Sequence, residues 1–190
     1  MAIMYLNIDT QKGFQEGGNL AVEGGIQCGD RQAVYLKNNK DKYALVVSTV
    51  DWHPSTHCSF KENGGIWPAH CKQFSEDAAI YQPLLDVLEV CPNFTILTKG
   101  CDEDHEEYSI FKNEKSCKKL VDLVNALNIT EIHVGGIAFG YCVADSCKDA
   151  LRYLPNVKIK VFKDLCASIP DGSDEKFIEF INNSERIELV

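Results

Sequence analysis

Side chains that could take part in covalent chemistry follow four short apolar runs of this sequence. Asp9 follows the first run, Asp51 the second and Lys99 the third, and Cys142 follows the glycine-bearing turn after the fourth. In an open α/β sheet the ligand crevice lies outside the carboxyl ends of the strands, so we expect these groups to meet at one edge. A carboxylate, an ammonium and a thiol placed together suit nucleophilic catalysis.

Cys142 lies between that turn and a helical pattern, where the dipole of a helix favours the thiolate form. Backbone N–H groups of the turn could face a developing oxyanion. Asp9 could take the thiol proton while Lys99 holds the charges together. Spacing alone leaves a second interpretation open, in which Cys142 is a small buried residue, Asp9 caps a loop and Lys99 is a solvated surface lysine.

A second set of side chains has the spacing of metal ligands. Residues two apart on an extended segment point to the same side, so Asp51 and His53 could bind one ion. Pro54 supports this arrangement because it keeps His53 out of the helical region. An imidazole from His70 would complete a carboxylate and two-histidine site that suits a divalent transition metal.

Three interpretations of the neighbouring residues stay open. His57 and Glu62 could be further ligands of the same ion. His57, Cys58, His70 and Cys71 could instead form a closed zinc knot, although adjacent residues rarely both bind one ion. The histidines could also be loop residues without a metal.

The elements that position these groups are predicted by hydrophobic patterns. The apolar runs are continuous rather than alternating, which is typical of strands covered on both faces of a parallel sheet. Together with the helical patterns between them, they predict a three-layer, doubly wound α/β fold, with a mostly parallel sheet of about six strands and helices on both faces. The predicted strands are 3–8, 43–50, 95–98, 132–136, 157–162 and 186–190, and the predicted helices are 30–37, 117–127, 143–154 and 174–181.

Two stretches break this alternation, the glycine-rich segment 10–27 and the proline-containing segment 51–92. The length of 190 residues predicts one domain over 1–190, with 51–92 as an irregular excursion that carries the candidate metal ligands. Long irregular segments inside a compact domain are more often functional than accidental. Phe14, Trp67 and Tyr108 lie in the loops that flank the candidate groups and could wall a flat ring, or simply pack beneath a loop.

The composition excludes several classes of protein. The chain is 45% hydrophobic and 25% charged, which is too apolar for a disordered protein. A net charge of -9 gives no attraction to nucleic acid or anionic membranes, and no apolar run approaches the ~18 residues that a membrane span needs.

The N-terminus lacks the pattern of a secretory signal, so we expect a cytoplasmic protein. Because the 9 cysteines are odd in number, most of them should be free thiols.

Several of these segments together resemble the nicotinamidases of the isochorismatase-like cysteine hydrolase superfamily. The resemblance extends from near the N-terminus to position 143, in the order in which the family's motifs occur. The matching segments are 8–14 (IDTQKGF), 51–54 (DWHP) with His57, Ser59 and Phe60, 67–71 (WPAHC), 99–100 (KG), 108–111 (YSIF) and 135–143 (GGIAFGYCV).

The resemblance implies a catalytic triad with Asp9 as general base, Lys99 as its charge-stabilising partner and Cys142 as nucleophile. It also implies a cis peptide bond between Ile137 and Ala138, with an oxyanion site formed by the backbone of Ala138 and Cys142.

For the substrate, the resemblance implies that Phe14 and Trp67 sandwich a pyridine ring while Tyr108 and Ala138 line its pocket. For the metal, it implies one divalent ion on Asp51, His53 and His70, with His57 or Glu62 in or near the shell. Zinc is the first choice for that ion, and iron or manganese are the alternatives.

The implied reaction converts nicotinamide to nicotinic acid and ammonia through a cysteine thioester, in NAD salvage, with pyrazinamide as a second substrate. The expected partner is this small molecule, neither nucleic acid nor a membrane, and assembly into a homo-oligomer is left open. The alternatives are another amidase of the superfamily that acts on a ureido or carbamoyl substrate, and a non-catalytic metal-binding protein on the same fold. Phe139 and Gly140 depart from the family, which often has two polar residues there, so we expect the usual hydrogen bonds of this loop to be missing.

Overall fold

The computed structural model, which describes residues 2–190, is built on one sheet of six parallel strands. In chain order they are β1 (Ala2–Ile8), β2 (Leu45–Asp51), β3 (Phe94–Lys99), β4 (Ile129–Ile137), β5 (Lys158–Ala167) and β6 (Ile187–Leu189). Their order across the sheet is β3-β2-β1-β4-β5-β6, so the winding reverses between β1 and β4. Ligands of doubly wound sheets bind outside the strand ends at such a reversal. The α/β fold predicted from the sequence is confirmed.

Helices cover both faces of the sheet. α1 (Gly25–Asn39) and α2 (Gln82–Leu88) pack on one face, and α3 (Glu114–Ala126), α4 (Ala144–Tyr153) and α5 (Ser173–Asn182) pack on the other. β1 serves both layers because successive side chains of a strand point to opposite faces. Tyr5 contributes to the core under α1 and α2, whereas Leu6 and Ile8 contribute to the core on the other side and are at most 1% exposed. Burying each of these aliphatic side chains stabilises the fold by about 1.5–3 kcal/mol.

Two helices, α2 and α1, show the largest differences from the sequence prediction. α2 lies inside the segment predicted to be irregular, where Pro83 is compatible with the first turn of a helix and Leu84 and Leu88 form one buried stripe. The pattern covers only 7 residues, too few to stand out as periodicity. α1 begins five residues before its predicted start, because Gly25 is used for close packing rather than for a loop. A Cβ there would lie 2.4 Å from the carbonyl oxygen of Phe14.

All nine cysteines lie within the described part of the chain, and all are free thiols, as predicted for most of them. Within residues 2–190, no helix has both the length and the apolar character that crossing a bilayer requires.

Candidate active site

The strand ends bring three ionisable side chains into direct contact with the ammonium group of Lys99. The Nζ atom of Lys99 lies 2.9 Å from Asp9 Oδ2 and 2.5 Å from Asp51 Oδ1. The same atom donates to Cys142 Sγ over 3.5 Å. All four residues are at least nine-tenths buried. The convergence that the strand-end argument predicts is therefore present, and the alternative of a solvated Lys99 is wrong because Lys99 is only 1% exposed.

Strand register and two supporting side chains position the carboxylates. Asp51 on β2 is the register partner of Lys99 on β3, which places the two side chains next to each other. The Thr49 hydroxyl donates to Asp9 Oδ1 over 2.6 Å. Gln11 binds the main chain of Asp51 twice, because its Oε1 accepts from the Asp51 N–H at 2.7 Å and its Nε2 donates to the Asp51 carbonyl at 2.9 Å.

Sequence reasoning assigned no role to these two supporting residues. Gln11 stands within the opening motif of the family resemblance, so a signal for it was present. Thr49 is an ordinary β-branched strand residue, and nothing in its local pattern distinguishes it from its neighbours.

The two carboxylates have opposite pKa shifts although they share one lysine. Burial raises the pKa of Asp9 above its ordinary value; Lys99 opposes this effect and the Asp51 charge adds to it. Burial alone would raise the pKa of Asp51 too, but the charges of Lys99 and His53 outweigh it and hold that pKa far below the usual range. Carboxylates whose environments push their pKa values apart take different roles in acid–base chemistry. Asp51 is thus a permanent anion, and Asp9 is the carboxylate suited to exchange a proton.

Cys142 lies in a π-helical turn, Phe139–Val143, directly before α4. The sequence argument expected the helix dipole to favour a thiolate, and this expectation is wrong for the resting site. Burial raises the pKa of Cys142 well above its ordinary value; Lys99 lowers it, and the charge of Asp9 raises it further. The environment therefore favours the protonated thiol over the thiolate at this position.

The loop that carries Cys142 is held by packing. The Ile137–Ala138 peptide bond is cis, as the resemblance implies. Phe139 is fully buried with its ring 4.9 Å from that of Phe177. A Cβ at Gly140 would lie 2.2 Å from Ser173 Oγ, so glycine is required where α5 approaches. These contacts account for the two apolar residues that depart from the family's usual polar pair.

A second group, next to the first, offers metal ligands. Asp51, His53 and His70 present ligand atoms that all lie within 4.8 Å of one another. The Nδ1 atoms of the two histidines donate to carbonyl oxygens, His53 to Gly100 at 3.0 Å and His70 to Pro68 at 2.7 Å. A neutral imidazole that donates from Nδ1 carries its lone pair on Nε2. The Nε2 atoms lie 3.6 Å and 4.0 Å from Asp51 Oδ2, so this donor set fits a divalent transition metal.

The two further candidate ligands are not part of this group. His57 uses both ring nitrogens elsewhere, Nδ1 with Ser59 Oγ at 2.7 Å and Nε2 with the carbonyl of His105 at 3.1 Å. Burial, together with the charge of His53, lowers its pKa to about 4. Glu62 is exposed on the short helix Lys61–Asn63.

Two other metal arrangements are disfavoured by the geometry. Within residues 2–190, the zinc knot that includes Cys58 and Cys71 is not among the groups whose ligand atoms come together. The group of Asp9, Asp51 and Cys142 does come together, but the Lys99 ammonium already lies among its three ligand atoms as their cation.

Both groups border one cavity of about 420 Å³, a volume that includes the space at its mouth. The predicted ring-binding residues Phe14, Trp67, Tyr108 and Ala138 all line it, next to Asp51, His70 and Cys142. Trp67 Nε1 donates to the Tyr108 hydroxyl at 2.9 Å, which fixes two of the aromatic walls. Sequence reasoning missed the remaining lining residues, Leu20, Val22, Glu106, Tyr141 and Ile169.

Comparison with known proteins agrees on one family. No family model matches the chain. The nicotinamidase of Escherichia coli is 30% identical over 194 residues, with 92% of this chain and 88% of the relative covered. Among solved structures, the pyrazinamidase of Pyrococcus horikoshii in complex with zinc has a TM-score of 0.84 at 28% identity and covers 100% of this chain and 99% of that one. PnC1 from L. infantum in complex with nicotinate also has a TM-score of 0.84, at 25% identity, and covers 100% of this chain and 92% of that one.

Proposed function

The chain belongs to the nicotinamidase family, and we propose that it hydrolyses nicotinamide to nicotinic acid and ammonia, with a covalent thioester on Cys142 as intermediate. The observation that carries this proposal is the shared position of Asp51, which contacts Lys99 of the thiol cluster with one oxygen and faces both candidate metal-binding histidines with the other. A group bound to the metal site is thereby held at a fixed distance from Cys142. This arrangement suits an aromatic amide whose ring and carboxamide need separate anchors.

In the first half of the reaction, the proton of Cys142 passes to Asp9 while Sγ bonds to the amide carbon. Lys99 stabilises the charge that moves between the two groups, and the backbone N–H groups of Ala138 and Cys142 are assigned to the oxyanion. Asp9 then returns the proton to the amide nitrogen, the C–N bond breaks, and ammonia leaves a thioester. The raised pKa of Asp9 suits it to carry this proton.

In the second half, Asp9 accepts a proton from a water molecule that attacks the thioester. The C–S bond breaks, the Cys142 sulfur regains a proton and nicotinic acid leaves. Phe14, Trp67 and Tyr108 hold the ring, which is neutral and flat. When bound at Asp51, His53 and His70, a divalent ion, zinc first and iron or manganese as alternatives, supplies a Lewis acid for the ring nitrogen and for water. The product acid would enter NAD salvage. Pyrazinamide is also a flat aromatic ring with a carboxamide meta to one ring nitrogen, so it would fit the same anchors.

The test is release of ammonia and nicotinic acid from nicotinamide by the purified protein after loading with zinc, iron or manganese, with pyrazinamide as the second substrate. We expect equal amounts of both products, none from a Cys142→Ala variant, and a nicotinoyl adduct on the Cys142 peptide after acid quenching. Cys147→Ala is the matched control, since Cys147 is a buried thiol on α4 outside the site. Turnover of a ureido or carbamoyl substrate with none of nicotinamide would refute the substrate.

A further inference from the structure

We propose that Glu107 is a positioning residue of the metal site, because its carboxylate holds Gly100 in the conformation that orients His53. The inference rests on the proposed function only in taking His53 as a metal ligand. Glu107 belongs to the acidic loop between β3 and α3, to which the sequence motifs assign no role.

Glu107 is a buried carboxylate that is held by hydrogen bonds alone. It is 6% exposed, and its Oε2 accepts from the Gly100 N–H at 2.6 Å and from Asn113 Nδ2 at 3.1 Å. No ion pair involves Glu107 among residues 2–190. A buried charge without a cation is unfavourable unless hydrogen bonds compensate for its lost hydration. The bond to Gly100 is therefore strong and directional.

Gly100 lies directly against the His53 ring. Its φ angle of +63° is in the left-handed region, and a Cβ at this position would lie 2.3 Å from His53 Cε1 and 2.4 Å from His53 Nδ1. Only glycine allows this approach. Glycine has no side chain to restrict its backbone, so the contacts of Gly100 must impose this conformation. The Gly100 N–H donates to the Glu107 carboxylate, and the Gly100 carbonyl oxygen faces His53.

The carbonyl of Gly100 determines which nitrogen of His53 is free. It accepts from Nδ1 at 3.0 Å, so the lone pair lies on Nε2, the atom that faces Asp51 Oδ2 at 3.6 Å. Partners that fix the tautomer and ring orientation of a metal-binding histidine usually contribute to metal affinity. Glu107 acts through the Gly100 backbone, which makes the contact with His53.

The other histidine of the group does not need such support. His70 donates to the carbonyl of Pro68, only two residues earlier in the chain, whereas the anchor of His53 comes from a segment 47 residues away. Lys99, the neighbour of Gly100, is held by its strand register and its ion pairs. Loss of Glu107 should therefore affect the metal group through His53 more than it affects the thiol cluster.

The test compares zinc affinity of the full-length protein and its variants by chelator competition, without substrate. We expect Glu107→Leu to weaken zinc binding by roughly 10–100-fold, the range for outer partners of metal-binding histidines. Glu107→Gln keeps an acceptor without the charge, and we expect a loss of about three- to tenfold. Glu131→Gln is the matched control, since Glu131 is an equally buried carboxylate that contacts His133 instead. It should leave zinc affinity unchanged within about twofold.

A second readout is the pair of ¹⁵N chemical shifts of the His53 ring in the metal-free protein, recorded at alkaline pH so that the ring is neutral and the shifts report its tautomer. In Glu107→Leu the two ring nitrogens should move toward each other as the Nδ1–H tautomer loses its preference. Unchanged zinc affinity in Glu107→Gln, or in a folded Glu107→Leu, would overturn the inference, even if the free energy of unfolding falls. Failure to hydrolyse nicotinamide would leave it intact, whereas absence of zinc binding by the unaltered chain would remove the metal assignment on which it depends.

Discussion

Two clusters of ionisable side chains lie along the sheet, and only one of them opens onto the cavity. The strand-end cluster comprises Asp9, Asp51, Lys99 and Cys142, and the mid-sheet cluster comprises Tyr43, Glu131, His133 and Lys160. In the mid-sheet cluster each ring nitrogen of His133 has its own partner, Glu131 Oε1 at 2.7 Å and the Tyr43 hydroxyl at 2.9 Å. Lys160 lies 3.6 Å from Glu131 with its side chain 35% exposed.

In the strand-end cluster several groups share one cation. Lys99 is the one cation in contact with two carboxylates and a thiol, and the pKa of Asp9 and that of Cys142 are both raised, first of all by burial. In the mid-sheet cluster the one carboxylate contacts both a histidine and a lysine, and such a charge-compensated cluster stabilises the fold. A cluster in which one proton is shared between neighbouring groups beside a cavity can do chemistry.

The largest expected contrast is between the two lysines. Lys99→Met leaves two buried carboxylates without a cation, so we expect turnover to fall by at least about 10⁴-fold. The free energy of unfolding should fall by roughly 3–5 kcal/mol. Lys160→Met should leave turnover unchanged and cost less than about 1 kcal/mol, because a half-exposed ion pair is weak. Ammonia release and urea denaturation measure both effects, and equal destabilisation by the two substitutions would contradict the comparison.

A smaller contrast is between the two hydroxyl donors, Thr49 and Tyr43. Thr49→Val removes a hydrogen bond to a charged group, so we expect kcat to fall by roughly 10–100-fold. That hydrogen bond lowers the pKa of Asp9, so its removal raises this pKa. Because the proposed mechanism requires an ionised Asp9 to take the thiol proton, the acid side of the pH profile should move to higher pH.

Tyr43→Phe is the control for this pair, since it removes the hydroxyl that contacts His133. We expect its pH profile to match that of the unaltered protein. A profile of Thr49→Val that does not move, or one of Tyr43→Phe that does, would break the distinction between the two clusters.

A smaller expected effect concerns Glu106, which lines the cavity. Burial and the charge of Asp51 raise the pKa of its carboxyl. At a pH where it is ionised, Glu106 should oppose an anionic product in the cavity more than a neutral substrate. We expect Glu106→Gln to make nicotinic acid a stronger inhibitor by roughly two- to fivefold, with little change in KM for nicotinamide. Steady-state product inhibition at constant ionic strength measures this, and an unchanged or weaker inhibition would exclude the electrostatic role.

The smallest expected effect is the pH dependence of stability from His133. Burial lowers the pKa of His133 below its ordinary value, and Glu131 opposes this shift only in part. The unfolded chain then binds the proton more readily, so the free energy of unfolding falls as pH drops below about 6.5, and the contribution is fully present above that value. In His133→Gln the free energy of unfolding should lose this part of its dependence on pH. Urea denaturation between about pH 7.5 and pH 5 measures this dependence. If the free energy of unfolding changes with pH in parallel in His133→Gln and in the unaltered protein, His133 does not contribute.

Much of the fold and of the candidate site follows from local patterns. Continuous apolar runs alternating with helical periodicity predict the parallel sheet, and the carboxyl ends of its strands then predict that Asp9, Lys99 and Cys142 come together. The two-residue spacing of Asp51 and His53 predicts a shared ligand direction. These inferences depend on side-chain period and chain order, which are properties of short segments.

Other features were decided only by contacts between distant segments. The protonated state of Cys142 and the opposite pKa shifts of Asp9 and Asp51 depend on burial and on distances of a few ångströms, which no local pattern encodes. His57 has the residue type and spacing of a ligand, yet its ring nitrogens contact Ser59 Oγ and the His105 carbonyl in this structure. The link from Glu107 through Gly100 to His53 joins the loop after β3 to the segment after β2. Residue types and their order therefore determined which groups could meet, and tertiary packing decided their charge and orientation, because both depend on the space between segments.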